Sequence, residues 1–129
     1  MKPVNLIAAV GKQGQIGLNG RMPWHDPEDL AWFRKMTMGD HVIMGGVTHK
    51  TVAPLLDGRT CWGWGRDIDP LAMLNAISAT SGSQEVIWIA GGARTYQAFM
   101  PWVRRSLITH IDYEGEADTY MPELWVESW

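Results

Sequence analysis

The chain has 129 residues, of which 46% are hydrophobic, and this is enough for one compact domain over residues 1–129. Eleven basic and fourteen acidic side chains give a net charge of −3 without a basic run, which argues against nucleic acid as a partner. The single cysteine, Cys61, excludes an internal disulfide, and we expect a buried thiol and no metal site. The apolar N-terminal run is too short for a signal peptide or a membrane span, so we expect a cytoplasmic protein with no membrane partner.

Strands alternate with helices along the chain. In chain order the sequence predicts a strand at 6–10, a mobile glycine-rich loop at 11–23, a helix at 27–38, a strand at 41–45, a helix at 48–53, a strand at 60–64, a helix at 70–79, a strand at 86–90, a helix at 94–100 and a strand at 106–113. This alternation indicates an α/β fold, a three-layer sandwich whose mostly parallel central sheet carries helices on both faces. Ligands of such sheets bind at the carboxyl ends of the strands.

The segment from Trp24 to Phe33 carries the strongest indication of chemistry. Asp26 and Pro27 are typical of an N-cap and a first helical residue. Asp29 and Phe33 are then neighbours on one helix face, so a carboxylate lies beside an apolar wall. A carboxylate at the edge of an apolar cleft needs a partner, and the N–C–N edge of a flat heterocycle can donate two parallel hydrogen bonds to it. The alternative is an exposed Asp29 that only interacts favourably with the helix dipole.

Several separated motifs occur in the order seen in dihydrofolate reductases. They are 6–10, Ile16-Gly17, Met22-Pro23-Trp24, 29–33, 42–45, Gly91-Gly92 and 109–112. The chain resembles the dihydrofolate reductase family from about residue 4 to residue 125, most densely over 4–59. The resemblance implies a dihydrofolate reductase-like fold and an oxidoreductase that transfers hydride from NADPH to 7,8-dihydrofolate. The reaction includes protonation of the pterin imine, which Asp29 assists, and gives tetrahydrofolate.

The resemblance also implies roles for individual residues. Asp29, Trp24 and Met22 are the expected catalytic residues: Asp29 holds the amino and ring N–H edge of the pterin, Trp24 fixes the ring through an ordered water, and Met22 closes over the cofactor. Arg59 pairs with the glutamate carboxylate of the substrate, and the Thr109 hydroxyl contacts Asp29. The expected substrate-binding residues are Ile7, Ala8, Asp29, Leu30, Phe33, Val52, Arg59, Ala90, Tyr96 and Thr109.

The family's cofactor site implies two further features. Residues 11–24 resemble a flexible lid, which Asp118 steadies from a neighbouring loop. The cofactor phosphates are expected at helix N-termini after Gly45-Gly46-Val47 and after Gly91-Gly92, and in the family that glycine pair carries a cis peptide. The expected cofactor-binding residues are Ala9, Ile16, Gly17, Asn19, Gly20, Gly45, Gly46, Val47, Thr48, Arg66, Gly91, Gly92, Ala93, Arg94 and Thr95.

Departures from the family pattern fall mainly near this cofactor site. Gly46 stands where members usually have a basic residue for the 2′-phosphate of NADPH, whereas Arg66 stands where many have a phosphate-binding arginine. We therefore expect NADPH as the preferred donor and NADH as a second one. His49 replaces a customary tryptophan, and Gly63 and Gly65 on either side of Trp64 make an unusual strand.

The chain also ends earlier than family members, and we expect it to lack their C-terminal strands. Trp125, Val126 and Trp129 are expected to cover the resulting sheet edge, within a monomer or through self-association. Two other functions stay open: a pterin- or nucleotide-binding structural module without turnover, and an aminopyrimidine reductase of riboflavin synthesis. A ribityl phosphate substrate has no glutamate for Arg59, so this arginine favours dihydrofolate over the aminopyrimidine.

Overall fold

The computed structural model describes residues 1–80, 82 and 86–122. Its strands are β1 (Val4–Val10), β2 (Gln15–Gly17), β3 (His41–Gly45), β4 (Thr60–Trp64), β5 (Ile87–Ile89), β6 (Arg105–His110) and β7 (Thr119–Tyr120). Its helices are α1 (Pro27–Thr37), α2 (Gly46–Val52), α3 (Pro70–Ser78) and α4 (Ala93–Phe99), with short 3-10 turns at Ala53–Leu55 and Met100–Trp102. No helix in the described ranges is long and apolar enough to cross a membrane.

Five strands form a parallel sheet in the order β4-β3-β5-β1-β6. The chain starts inside the sheet with β1, builds outward through β3 and β4, and then returns to place β5 and β6 on either side of β1. The predicted α/β fold with a mostly parallel sheet is therefore confirmed. Because the strands are parallel, the carboxyl ends of all five strands lie along the same edge of the sheet. Ligands of such sheets usually bind in a crevice at this edge, at the point where the strand order reverses.

The two faces of this sheet have separate apolar cores. Leu6 of β1 packs in a cluster with Leu74 of α3 and Phe99 of α4. Ile7, one residue later, packs in a second cluster with Phe33 of α1. Successive side chains of a strand point to opposite faces, so helices cover both faces as predicted.

Helix α1 begins and ends for local reasons that are visible in the sequence. The Asp26 carboxylate accepts hydrogen bonds from the backbone N–H groups of Glu28 and Asp29, both at 3.1 Å, and Pro27 is the first helical residue. Gly39 follows the helix with a φ of +80°, a conformation that glycine adopts without strain. The predicted N-cap is confirmed, and it fixes where Asp29 lies.

The prediction of an uninterrupted loop over 11–23 is wrong. Strand β2 lies within it and pairs antiparallel with β7, about a hundred residues further along the chain. Gln15 supports this pairing from a buried position, because its side-chain amide donates to the Gly115 carbonyl at 3.1 Å and its oxygen accepts from the Gln13 N–H at 2.8 Å. The lid segment is therefore attached to the 111–120 region by a ladder and by a buried amide.

Several element boundaries also differ from the prediction: β1 begins at Val4 rather than at residue 6, and α1, α3, β5 and α4 differ by one residue at one or both ends. Helix α2 begins at Gly46 rather than Thr48, because the first turn of a helix needs no partner for its N–H groups and tolerates glycine there. Strand β6 ends at His110 rather than at residue 113. The chain turns beyond it, since the Tyr113 N–H bonds to the Ile111 carbonyl at 2.8 Å.

The unusual glycine at position 63 has a packing reason. A Cβ added to Gly63 would lie 3.2 Å from Cγ of His49, and His49 Nε2 lies 3.4 Å from the Cys61 carbonyl oxygen. Gly63 therefore leaves room for the imidazole of α2 to rest against β4. The structure gives no reason of this kind for Gly65, where an added Cβ has open space. Trp125, Val126 and Trp129 lie outside the described residues, and their expected role stays a prediction.

Candidate active site

A cavity of about 420 Å³ opens at the carboxyl edge of the sheet, between the lid segment and helix α1. Most of its wall is apolar, and the few polar groups converge from α1, β6 and the lid, an arrangement typical of small-molecule sites. It brings together nineteen of the sequence-predicted residues, namely Ile7, Ala8, Ala9, Ile16, Gly17, Gly20, Met22, Trp24, Asp29, Leu30, Phe33, Val47, Thr48, Val52, Ala90, Gly91, Gly92, Tyr96 and Thr109.

Asp29 is the central polar group of this wall. It lies in the first turn of α1 and is half-buried. Burial raises the pKa of the Asp29 carboxyl, the nearby Asp26 carboxylate raises it further, and a side-chain hydrogen bond with Thr109 lowers it in part. The carboxyl therefore holds a proton more tightly than an exposed aspartate does, and its position beside an apolar wall suits an interaction with a bound base.

Trp24 presents an indole to the same cavity. Its Nε1 is buried and has no hydrogen-bond partner among the described residues. A buried N–H group without a partner is costly, so such a group next to a cavity indicates a place for a water or a ligand acceptor. This agrees with the expected role of Trp24 in fixing the substrate through a water.

Tyr96, Gly91 and Gly92 form another part of the cavity wall. The buried Tyr96 hydroxyl donates to the Ile7 carbonyl at 2.9 Å, and burial, followed by the charge of Asp29, raises the pKa of this phenol. Tyr96 is thus a neutral structural donor. The Gly91-Gly92 peptide is cis, and the Gly91 carbonyl accepts from the Gly45 N–H at 2.8 Å, which joins the ends of β3 and β5.

The lid is connected to its neighbouring loop by Asp118. The Asp118 carboxylate accepts from the Asn19 N–H at 2.9 Å and from the Thr119 hydroxyl at 2.9 Å, and these bonds lower its pKa. Asn19 and Gly20 both have positive φ and form a tight turn between Leu18 and Arg21. Asn19 belongs to this turn and does not line the cavity that the described residues form, and its expected contact with the cofactor stays a prediction.

Arg59 does not line the cavity that the described residues form. Its guanidinium donates to the Thr37 hydroxyl at 3.0 Å and to the backbone carbonyls of Asp57 and Arg34. These three acceptors hold the side chain beside the end of α1, at the outer side of the site. Its expected pairing with a substrate carboxylate stays a prediction.

Seven of the expected cofactor residues also lie outside the cavity wall. Thr95 is buried, and a Cβ on Gly45 would come within 3.1 Å of the Thr95 hydroxyl oxygen, so glycine at 45 favours the close approach of α4 to β3. Gly46 and Arg66 are exposed at the neighbouring ends of α2 and β4. The seven are Asn19, Gly45, Gly46, Arg66, Ala93, Arg94 and Thr95.

Sequence reasoning missed six residues of the wall: Arg21, His25, Asp26, Trp32, Met44 and Thr119. Met44 was detectable, because it ends the apolar β3 run next to residues that were expected in the site. The Asn19-Gly20 pair, a strong hairpin signal, could likewise have indicated that Arg21 folds back toward β2. Thr119 carries no such signal, because only the β2–β7 pairing brings it near Gly17.

The fold and the site together define a class: an α/β protein with a parallel sheet that binds a small molecule beside a half-buried carboxylate. The comparisons with known proteins make this specific. The family model described as dihydrofolate reductase matches residues 3–129, and the chain belongs to the dihydrofolate reductase family. It is 32% identical over 128 residues to the dihydrofolate reductase of Buchnera aphidicola from Acyrthosiphon pisum, covering 93% of this chain and 79% of that relative.

Two further relatives give the same result. The dihydrofolate reductase of Haemophilus influenzae is 32% identical over 132 residues, which cover 97% of this chain and 82% of the relative. That of Neisseria gonorrhoeae is 33% identical over 140 residues, covering 100% of this chain and 85% of the relative. The resemblance that the motifs indicated is confirmed.

Proposed function

We propose that this protein reduces 7,8-dihydrofolate to tetrahydrofolate with hydride from NADPH, in the cavity at the carboxyl edge of the sheet. One observation supports it above the others: the half-buried Asp29, with raised pKa, lines the same apolar cavity as the Trp24 indole, whose buried N–H has no partner within the described part of the chain. A flat heterocycle with an N–C–N edge fits both groups. Membership of the family and the names of its relatives point to the same reaction.

Asp29 performs the proton chemistry in this proposal. Its carboxylate binds the amino and ring N–H edge of the pterin, which orients the ring and favours protonation of the adjacent imine nitrogen. The Thr109 side chain interacts with this carboxyl and partly offsets the rise in its pKa. Phe33, Leu30 and Val52 form the apolar walls that exclude water around the pterin and the ring that follows it.

NADPH supplies the hydride when it is bound. The residues present fit it: Gly17, Gly20, Gly91 and Gly92 let backbone approach a ligand closely along one side of the cavity. Helices α2 and α4 begin next to that side at Gly46 and Ala93, where free N–H groups attract phosphate. Met22, which is 53% exposed, would become covered when the lid closes over the nicotinamide.

The test follows the loss of nicotinamide absorbance with purified protein, dihydrofolate and NADPH, then NADH. We expect oxidation that depends on dihydrofolate, faster with NADPH, and reduced about 100-fold in Asp29→Asn. A folded wild type that binds both ligands without oxidation would favour the binding module. Turnover of an aminopyrimidine but not of dihydrofolate would favour the riboflavin-pathway alternative.

The exposed Gly46 provides a test of the donor preference. A Cβ added there meets nothing closer than the Trp64 carbonyl oxygen at 3.9 Å, so a side chain fits without rearrangement. In Gly46→Arg we expect a KM for NADPH about tenfold lower, with the KM for NADH unchanged, because only NADPH carries the 2′-phosphate. Gly46→Gln is the matched uncharged control, and equal effects on both donors would contradict this role.

The setting of the enzyme is a further part of the proposal. We place it in the cytoplasm, which agrees with a lone thiol, Cys61, whose pKa is raised by burial. Its partners are its small-molecule ligands. Light scattering of the purified chain distinguishes a monomer from self-association.

A further inference from the structure

Tyr113 stands directly behind Trp24, outside the cavity wall. The two ring centroids are 5.6 Å apart and the ring planes are inclined by 56°. This is the tilted arrangement that aromatic pairs favour. Because Trp24 Nε1 has no hydrogen-bond partner among the described residues, no polar contact fixes the rotation of the indole. Packing contacts therefore orient the indole, and the tyrosine ring supplies one of them.

Tyr113 is itself held firmly. Its hydroxyl donates to the Glu116 carbonyl at 2.6 Å. The ring lies over Gly115, where an added Cβ would come within 2.6 Å of the tyrosine hydroxyl oxygen. Glycine at 115 is thus required for this position of the ring, and the 113–116 turn supports it.

The same turn is tied to the start of the lid. The Lys12 N–H donates to the Tyr113 carbonyl at 2.9 Å, and the Lys12 ammonium bridges Asp112 at 2.8 Å and Glu114 at 3.1 Å, on either side of Tyr113. The buried Gln15 adds a bond to the Gly115 carbonyl at 3.1 Å. The Tyr113 turn therefore contacts the indole at one end of the lid and the backbone at the other.

We propose that Tyr113 is a positioning residue for the reduction, which holds the Trp24 indole in its substrate-facing orientation and couples it to the base of the lid. This inference rests on the proposed function for the role of Trp24. Tyr113 touches neither substrate nor cofactor, and it acts through the indole. Its removal leaves the carboxyl of Asp29 and its Thr109 contact in place, so chemistry persists with a poorly oriented pterin.

The first experiment compares Tyr113→Ala with Tyr113→Phe. In Tyr113→Ala we expect kcat/KM for dihydrofolate to fall about tenfold, since small misplacements of a substrate-orienting group have effects of this size or larger. The KM for NADPH stays within about twofold. Tyr113→Phe keeps the ring and restores most of the activity. Leu71→Ala, which truncates an exposed side chain of α3 that does not line the described cavity, is the control and leaves kcat/KM unchanged.

A double-mutant cycle distinguishes positioning from general structural support. In a Trp24→Ala background there is no indole to orient, so adding Tyr113→Ala has less than about a twofold further effect. A full tenfold effect in that background would overturn the proposal, as would wild-type kinetics of Tyr113→Ala. If Tyr113→Ala does not fold, Gly115→Ala displaces the same ring by crowding and should reproduce its kinetic effect.

Near-UV circular dichroism without ligand gives a readout that is independent of turnover. Tyr113→Ala should change the aromatic bands, and this change should vanish in the Trp24→Ala background. If the wild type is inactive but the spectral change depends on Trp24, the proposed function is rejected and the Trp24–Tyr113 contact is supported. If the wild type is active but the spectral change does not depend on Trp24, only the positioning role of Tyr113 is rejected.

Discussion

The tryptophan indole N–H groups at the two ends of the central sheet differ in their hydrogen bonding. At the amino end, the indole N–H of Trp88 donates to the Asp40 carboxylate at 3.0 Å, and that of Trp62 donates to Nδ1 of His41 at 3.0 Å. At the carboxyl end, the indole N–H of Trp24 is buried and has no partner among the described residues. Internal pairing stabilises the fold, whereas an unpaired group beside a cavity is available to a ligand.

The two aspartates show the same contrast. Asp40, just before β3, accepts the Trp88 indole and the Val86 N–H at 3.3 Å, so it joins the beginnings of β3 and β5. Asp29 is half-buried on an apolar wall, with a pKa raised mainly by that burial. We infer that the amino end holds the sheet together and that the carboxyl end performs the chemistry at some cost in stability.

The same substitution at both ends gives the largest expected effects. Asp29→Asn should lose about 100-fold in turnover, because the charge that orients and activates the pterin is removed. Its unfolding free energy should stay the same or rise, since a half-buried charge is no longer present. Turnover assays and urea unfolding measure the two quantities.

The reverse is expected for Asp40→Asn. An amide can accept only through one atom and presents an N–H group to a donor, so the unfolding free energy should fall by about 1–3 kcal/mol. Its kcat/KM should stay within about twofold of wild type. A variant of Asp40 that loses turnover but not stability would break the contrast between the two ends.

Thr109→Val gives an intermediate effect at the carboxyl end. The change removes the side-chain hydrogen bond that lowers the Asp29 pKa, so this pKa should rise above its wild-type value. A hydrogen bond of about 1 kcal/mol corresponds to about fivefold in kcat/KM. Titration of the ¹³C-labelled carboxyl by NMR measures the pKa directly.

Thr119→Val is the control for this titration. Thr119 lines the same cavity, but its hydroxyl donates to Asp118 at 2.9 Å. The Asp29 pKa should therefore be unchanged in this variant. An equal upward shift in both variants would mean that Thr109 acts through the general polarity of the cavity and not through a specific hydrogen bond.

The sheet and its helices could be predicted from the sequence because their signals are local. Asp26 and Pro27 mark the start of α1, and short apolar runs mark the five strands of the main sheet. The motifs then placed Asp29, Trp24 and Thr109 at one edge, and the structure brings all three into one cavity wall. Parallel connectivity made this possible, since it gathers the ends of distant strands at one place.

What could not be predicted depends on contacts between distant segments. Strand β2 has three residues and no alternating pattern, and it exists because β7 pairs with it and Gln15 bonds to Gly115. Gly63 had no explanation until His49 was found resting on it. The contacts of the Arg59 guanidinium with the Thr37 hydroxyl and the Arg34 carbonyl likewise depend on a segment that is distant in the sequence, and its pairing with a substrate carboxylate stays a prediction.

The smallest expected effect is the pH dependence of stability at the amino end. His41 is buried, and its pKa lies below the usual 6.5, mainly because of burial and then because of Lys2, with Asp40 opposing. As the pH falls through 6.5, the unfolded chain binds a proton on this imidazole before the folded protein does. The His41 contribution to stability is therefore complete above that pH and is lost from there down to the folded pKa.

His41→Asn isolates this contribution, because an asparagine oxygen can still accept from the Trp62 indole but does not titrate. The difference in unfolding free energy between wild type and His41→Asn, measured by urea unfolding, should shrink between about pH 7.5 and pH 5. Turnover should not follow this change, since His41 is at the end of the sheet opposite Asp29. If the difference in unfolding free energy grows toward low pH, the imidazole gains a partner when it is protonated. The amino end of the sheet would then hold a charged histidine rather than a neutral one.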